Sequence, residues 1–119
     1  MTLDDLIPKA AEAEQFLKAV ANRHRLMILC DLHKGERSVT ALQTAVGLSQ
    51  SALSQHLARL REDGLVATRR DAQTIYYTLA NPNVSQLIGL LYTLYCAPKT
   101  KAAGTSGTAQ KSSKPKQKK

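Results

Sequence analysis

From Leu48 to Leu79 the chain reads LSQSALSQHLARLREDGLVATRRDAQTIYYTL, and the period of its apolar residues changes once along the way. Leu53, Leu57 and Leu60 recur at helical spacing, and Gly64 supplies a stop. Beyond it two β-rich runs follow, and Ile75, Tyr77 and Leu79 alternate with Tyr76 and Thr78 as a strand requires. The helix has two unlike faces. Its leucine stripe must be buried, while Ser51, Ser54, Gln55 and Ala58 point away from it. That outward face is small, uncharged and rich in hydrogen-bonding groups, whereas an ordinary solvent face carries more Glu and Lys. Short hydroxyls and amides suit a surface that must approach base edges.

The rest of the chain supplies a frame for this unit. Ala10, Ala13, Phe16, Leu17 and Val20 mark a first helix over residues 9–20. Asn22 is placed to cap a second helix, which runs through Leu26, Leu29, Cys30 and His33 on one face and stops at Gly35. Ser38 caps a short third helix that ends at Gly47, and Ser49 caps the fourth after a tight turn. Strands over residues 65–70 and 74–79 flank Asp71-Ala72-Gln73. Asn81-Pro82 opens a last helix that ends near Cys96 and Pro98. The resulting order, α-α-α-α-β-β-α, is mainly α with a small β-hairpin and describes a dimeric winged helix-turn-helix. That module lays one helix in the DNA major groove and a hairpin beside it. The last helix is apolar over most of its circumference, so one side is expected to pack on a second copy of the chain.

Charge divides the chain in two. The net charge is +8 over 119 residues, but residues 97–119 hold seven lysines and no acid, whereas residues 1–96 hold ten Lys and Arg against nine Asp and Glu. Residues 1–97 are therefore read as one DNA-binding and dimerisation domain, and 98–119 as a disordered Lys-rich tail that adds non-specific attraction to phosphates or merely solubilises. No apolar run is long enough for a membrane span, and the acidic start lacks the basic region of a signal peptide. A cytoplasmic location is the expectation, with Cys30 and Cys96 as free thiols rather than a structural disulfide.

The recognition segment LSQSALSQHLARLREDGLV and the wing RRDAQTIYYTL resemble the ArsR-type winged helix-turn-helix repressors, over roughly residues 12–96. The resemblance implies a homodimer whose first and last helices build the interface, and an inducer that weakens operator binding. Many such repressors sense metals, yet SVTALQTAV carries no Cys-x-Cys and NPNVSQLIGLLYTLYC no His or acid. No metal site and no cofactor are therefore expected. The cysteines, in LMILCDLH and LLYTLYCAPK, resemble those of the BigR/SqrR-like persulfide-responsive subgroup. There two thiols become linked through sulfur atoms and the operator is released.

The candidate DNA-binding residues are Gln50, Ser51, Ser54 and Gln55 on the fourth helix, His56 at its edge, and Arg69 and Arg70 near the wing tip. The candidate sensing thiols are Cys30 and Cys96, with His33 and Lys34 placed to help ionise Cys30 and Tyr95 a weaker candidate beside Cys96. General thiol oxidation, or no inducer at all, stays open as an alternative signal. An enzyme is not expected: there is no Cys-x-x-Cys, nucleotide loop or clustered acid/base pair. The expected partners are double-stranded operator DNA, a second copy of the chain and reactive sulfur species.

Overall fold

A computed structural model describes residues 1–98. The Lys-rich tail of the sequence reading, apart from its first residue, lies outside the described residues. The chain divides into two compact units, Met1–Ile88 and a C-terminal unit that begins at Gly89. The division falls inside the last helix.

The first unit begins with a short helix, α1 (Leu3–Leu6), and a 3-10 turn over Ile7–Lys9 that the sequence reading did not contain. The Thr2 backbone N–H donates to the Asp5 carboxylate at 2.9 Å and starts this turn of helix. Next come α2 (Ala10–Val20) and α3 (Arg23–His33). The Asn22 side chain accepts from the His24 and Arg25 amides at 2.9 and 3.1 Å, which caps α3 as expected. Arg25 then turns back and donates through Nε to the Ala19 carbonyl at 2.6 Å. One residue thus satisfies the open carbonyl end of α2 while belonging to α3.

Helix α4 (Val39–Val46) and helix α5 (Gln50–Glu62) are both capped by serine: Ser38 accepts from the Ala41 amide and Ser49 from the Ala52 amide. Between them Gly47 adopts φ +71°, the left-handed region where an L side chain is strained. Three buried leucines of α5, Leu53, Leu57 and Leu60, meet Ile28, Leu29 and Leu32 of α3 and Leu42 and Val46 of α4 in one core. Asp31 is the one buried charged residue among those described.

The sheet has three antiparallel strands in the order β1-β3-β2. Here β1 is Arg37–Ser38, β2 is Val66–Asp71 and β3 is Thr74–Leu79. The two-residue β1, paired with Tyr77 and Tyr76, adds a strand that the order read from the sequence lacks. The hairpin turn is also tighter than expected, because Asp71 pairs with Thr74 and leaves only Ala72 and Gln73 in the loop. Ala72 takes φ 57°, a conformation two-residue hairpins demand and alanine adopts at a cost of roughly 1 kcal/mol.

Helix α6 (Pro82–Leu91) starts at the Asn81 cap, whose side chain accepts from the Asn83 amide at 2.8 Å. Val84 and Ile88 are buried, and Leu87 packs against the same core. In the C-terminal unit the helix continues as a π-helical turn over Tyr92–Cys96, closed by the Ala97 amide on the Tyr92 carbonyl. Leu90, Tyr92, Leu94 and Tyr95 are exposed there. No helix among the described residues is long and apolar enough to cross a membrane.

Candidate nucleic-acid interface and thiols

The serine cap at Ser49 fixes where α5 begins, and that sets which side chains face outward. Gln50, Ser51, Ser54 and Gln55 are all exposed, on the side opposite the buried leucines. Gln50 and Ser54 line a groove of about 860 Å³ together with Ala58, Arg61, Ile75 and Tyr77. The face of the helix and one face of the wing thus border one open groove. Arg61 is a residue the sequence reading passed over. It sits three and seven residues after Ala58 and Ser54, on the same side of the helix, and that spacing was the available signal.

His56 lies at the edge of this face and is half-buried. Its ring stands 5.8 Å from that of His24, tilted by 36°. Burial, then the Arg25 guanidinium and His24, hold its pKa below the ordinary histidine value. Below α5, Arg59 donates to Asp63 at 2.8 Å and Gln15 reaches the same carboxylate at 3.4 Å. The Arg59 hydrogen bond, more than any other contact, keeps the Asp63 carboxyl below its usual range. These bonds tie the end of the recognition helix to α2.

The two wing arginines are placed differently. Arg69 donates through Nε and Nη2 to the two carboxylate oxygens of Glu36 at 2.7 and 2.8 Å, and its guanidinium lies 4.6 Å above the Tyr76 ring. The hydrogen bond from Arg69 lowers the Glu36 pKa, and Glu36 in turn raises that of Arg69. Arg70 is exposed and forms no ion pair with a described residue.

Both cysteines are free and exposed, Cys30 on α3 and Cys96 at the end of the π-helical turn. Of the residues placed to help ionise Cys30, Lys34 pairs with Asp31 at 3.9 Å, and His33 is exposed one turn along. Tyr95, beside Cys96, is 77% exposed. Among the described residues no three His, Cys, Asp or Glu side chains form a group that could hold a metal ion.

A capped helix with an outward polar face, preceded by a helix and a glycine turn and followed by a hairpin, defines a winged helix-turn-helix regulator that binds DNA. Residues 22–68 match the model of the bacterial regulatory protein, arsR family. The transcriptional activator HlyU of Vibrio cholerae is 53% identical over 96 residues, covering 81% of this chain and 89% of that protein. A structure of reduced HlyU superposes with a TM-score of 0.75 over 80% of this chain and all of that one. The biofilm growth-associated repressor of Xylella fastidiosa is 41% identical over 102 residues, 86% of this chain and 90% of its own. The crystal structure of that organism's repressor BigR gives a TM-score of 0.78, covering 82% of this chain and 100% of that chain. A homodimeric winged helix-turn-helix domain from Mycobacterium bovis, 38% identical, matches with a TM-score of 0.63 over 74% of this chain and 84% of that one. The chain belongs to the ArsR family of bacterial transcriptional regulators. The relatives named above are an activator, a repressor and a DNA-binding domain.

Proposed function

We propose that this protein is a homodimeric cytoplasmic repressor that releases its operator when Cys30 and Cys96 react with persulfides or polysulfides. The observation that carries the sensing part is the pair of free, exposed thiols at positions resembling those of the persulfide-responsive subgroup. The DNA-binding part rests on the exposed Ser/Gln face of α5 beside the wing. Gln50 and Gln55 offer amides that pair with adenine, while Ser51 and Ser54 serve bases or phosphate. His56 contributes from the edge of the face, and Arg61 together with Arg70 of the wing supplies cations.

Two copies are needed to reach two major grooves one helical turn apart. Leu3, Ile7 and Leu17 at one end of the chain, and Leu90, Tyr92, Leu94 and Tyr95 at the other, are exposed apolar residues that a second copy would cover.

The chemistry balances without an outside oxidant other than the inducer. The Cys30 thiolate attacks the outer sulfur of a persulfide, RSSH, takes that sulfur and releases RSH. A second persulfide extends the chain to Cys30–S–S–SH. The Cys96 thiolate then attacks the middle sulfur, hydrosulfide leaves, and a trisulfide joins the two cysteines. The sulfane sulfur is reduced and the two thiols are oxidised. A difference of about 1–3 kcal/mol between the reduced and linked states suffices to change operator affinity 5- to 150-fold.

A mobility-shift assay on the promoter fragment upstream of the gene, with intact-mass analysis, tests this reading. Persulfide-treated protein is expected to release the fragment and to carry added sulfur between the cysteines, while reduced protein binds. Release by hydrogen peroxide to the same degree, with no added sulfur, would point to general thiol oxidation instead. The activator name of the HlyU relative favours one second reading, in which the bound protein raises transcription. A promoter–reporter fusion decides the sign: deletion of the gene is expected to raise expression.

A further inference from the structure

The strand pleat separates the two wing arginines. Successive side chains of a strand point to opposite faces, and the pairing of Arg70 with Ile75 and Thr68 with Tyr77 puts Arg70 on the face of Ile75 and Tyr77. Those two residues line the groove that also holds Gln50 and Ser54. Arg69 pairs with Tyr76 and belongs to the other face. On that face both forks of a carboxylate hold it and an aromatic ring lies beneath it.

From this arrangement we infer that Glu36 is a positioning residue for DNA specificity: it withholds Arg69 from the phosphates and leaves Arg70 as the wing arginine that meets DNA. The inference rests on the reading that the wing touches DNA. A bidentate guanidinium–carboxylate pair is geometrically specific and presents no net charge. It therefore releases no counterion when DNA binds, whereas an unpaired arginine on a phosphate does. A second free arginine would attract operator and random DNA alike. Neutralising it with a carboxylate of the protein's own surface keeps the sequence-independent share of the affinity small while its aliphatic stem and ring contact still stiffen the wing. Glu36 stands in the turn between α3 and β1, so the clasp also crosses β3 to pin that turn to β2.

The test is a salt series of fluorescence-anisotropy titrations with the full chain, on its own promoter fragment and on a shuffled duplex of equal length. Glu36→Gln is expected to steepen the slope of log K against log[salt] by about 0.9 for each subunit bound. Its gain in affinity should be larger on the shuffled duplex, so preference for the promoter falls. Glu36→Gln combined with Arg69→Gln should return the slope to that of the parent, because the freed cation is gone. Arg70→Gln should make the slope shallower by about 0.9 per subunit. Circular dichroism and thermal melts confirm that each variant is folded. A purely structural role for Glu36 would change stability and leave the slope alone, and that result overturns the proposal. If Arg70→Gln also leaves the slope unchanged, the wing does not meet DNA and the underlying reading fails with it.

Discussion

The guanidinium of Arg37 donates a 2.8 Å hydrogen bond through Nε to the Asp31 carboxylate, joining the first strand of the sheet to the helix that carries Cys30. Asp31 is the residue after that thiol and is 8% exposed. A carboxylate so placed needs its partners, and only Lys34, at 3.9 Å, would remain if Arg37 were lost. Arg37→Met is expected to cost about 2 kcal/mol in urea denaturation, the scale of an uncompensated, largely buried charge. Adding Asp31→Asn should recover part of that loss, since it removes the stranded charge. No recovery in the double variant would mean that the pair is not what Arg37 contributes.

Acid should weaken the frame of the recognition helix through His56. Its folded-state pKa is held below the usual value by burial, Arg25 and His24. Only well above the ordinary histidine pKa of about 6.5 is the ring neutral in both folded and unfolded chains, and there it contributes nothing to the pH dependence. As pH falls through that value the unfolded chain takes up the proton first, so stability declines until the lower folded pKa is reached. The carboxylates of Asp63 and Glu36, also held low, lose their contribution only further down, below the ordinary carboxylate range. Denaturation midpoints compared between neutral pH and pH near 5.5 should therefore fall in the parent and fall less in His56→Gln.

Side chains on the outward face of α5 should matter for binding and not for folding. Gln55→Ala is expected to weaken promoter binding by about 1–3 kcal/mol, the value of a bidentate amide–base contact, with melting temperature unchanged. Ser54→Ala should act in the same direction and more weakly. An equal loss on promoter and shuffled duplexes would reassign these residues to the phosphates.

The turn between α4 and α5 should be sensitive at two positions. Ser49→Ala removes the cap on the Ala52 amide and is expected to cost about 1 kcal/mol. Gly47→Ala meets no neighbouring atom within 4 Å, yet it must adopt φ +71°. It should lose about 1 kcal/mol through backbone strain alone. In a domain of this size each change lowers the melting temperature by about 4–8 °C.

Much of this fold is written locally. The Asn22, Ser38, Ser49 and Asn81 caps, the glycine turn and the buried Leu53–Leu57–Leu60 stripe follow from spacing and side-chain chemistry alone, and each stands where the residues imply. What the sequence hides is non-local or irregular. A two-residue strand such as β1 has no period to detect, because it exists only through its pairing with Tyr76 and Tyr77. The wing turn carries no glycine or asparagine signal, since its positive φ falls on Ala72. The partner of Arg69 lies 33 positions away at Glu36, so neighbouring arginines that read alike along the chain differ in the fold. The sensing role proposed for Cys30 and Cys96 rests on family resemblance, because an exposed cysteine has no spacing of its own.

The most direct test of the sensing claim compares the parent with a Cys30→Ser, Cys96→Ser double variant, each bound to the promoter fragment and then exposed to an organic persulfide. The parent should let go of the DNA while the double variant binds equally well before and after treatment. Release of the double variant to the same extent as the parent would contradict the assignment of these two thiols as the switch.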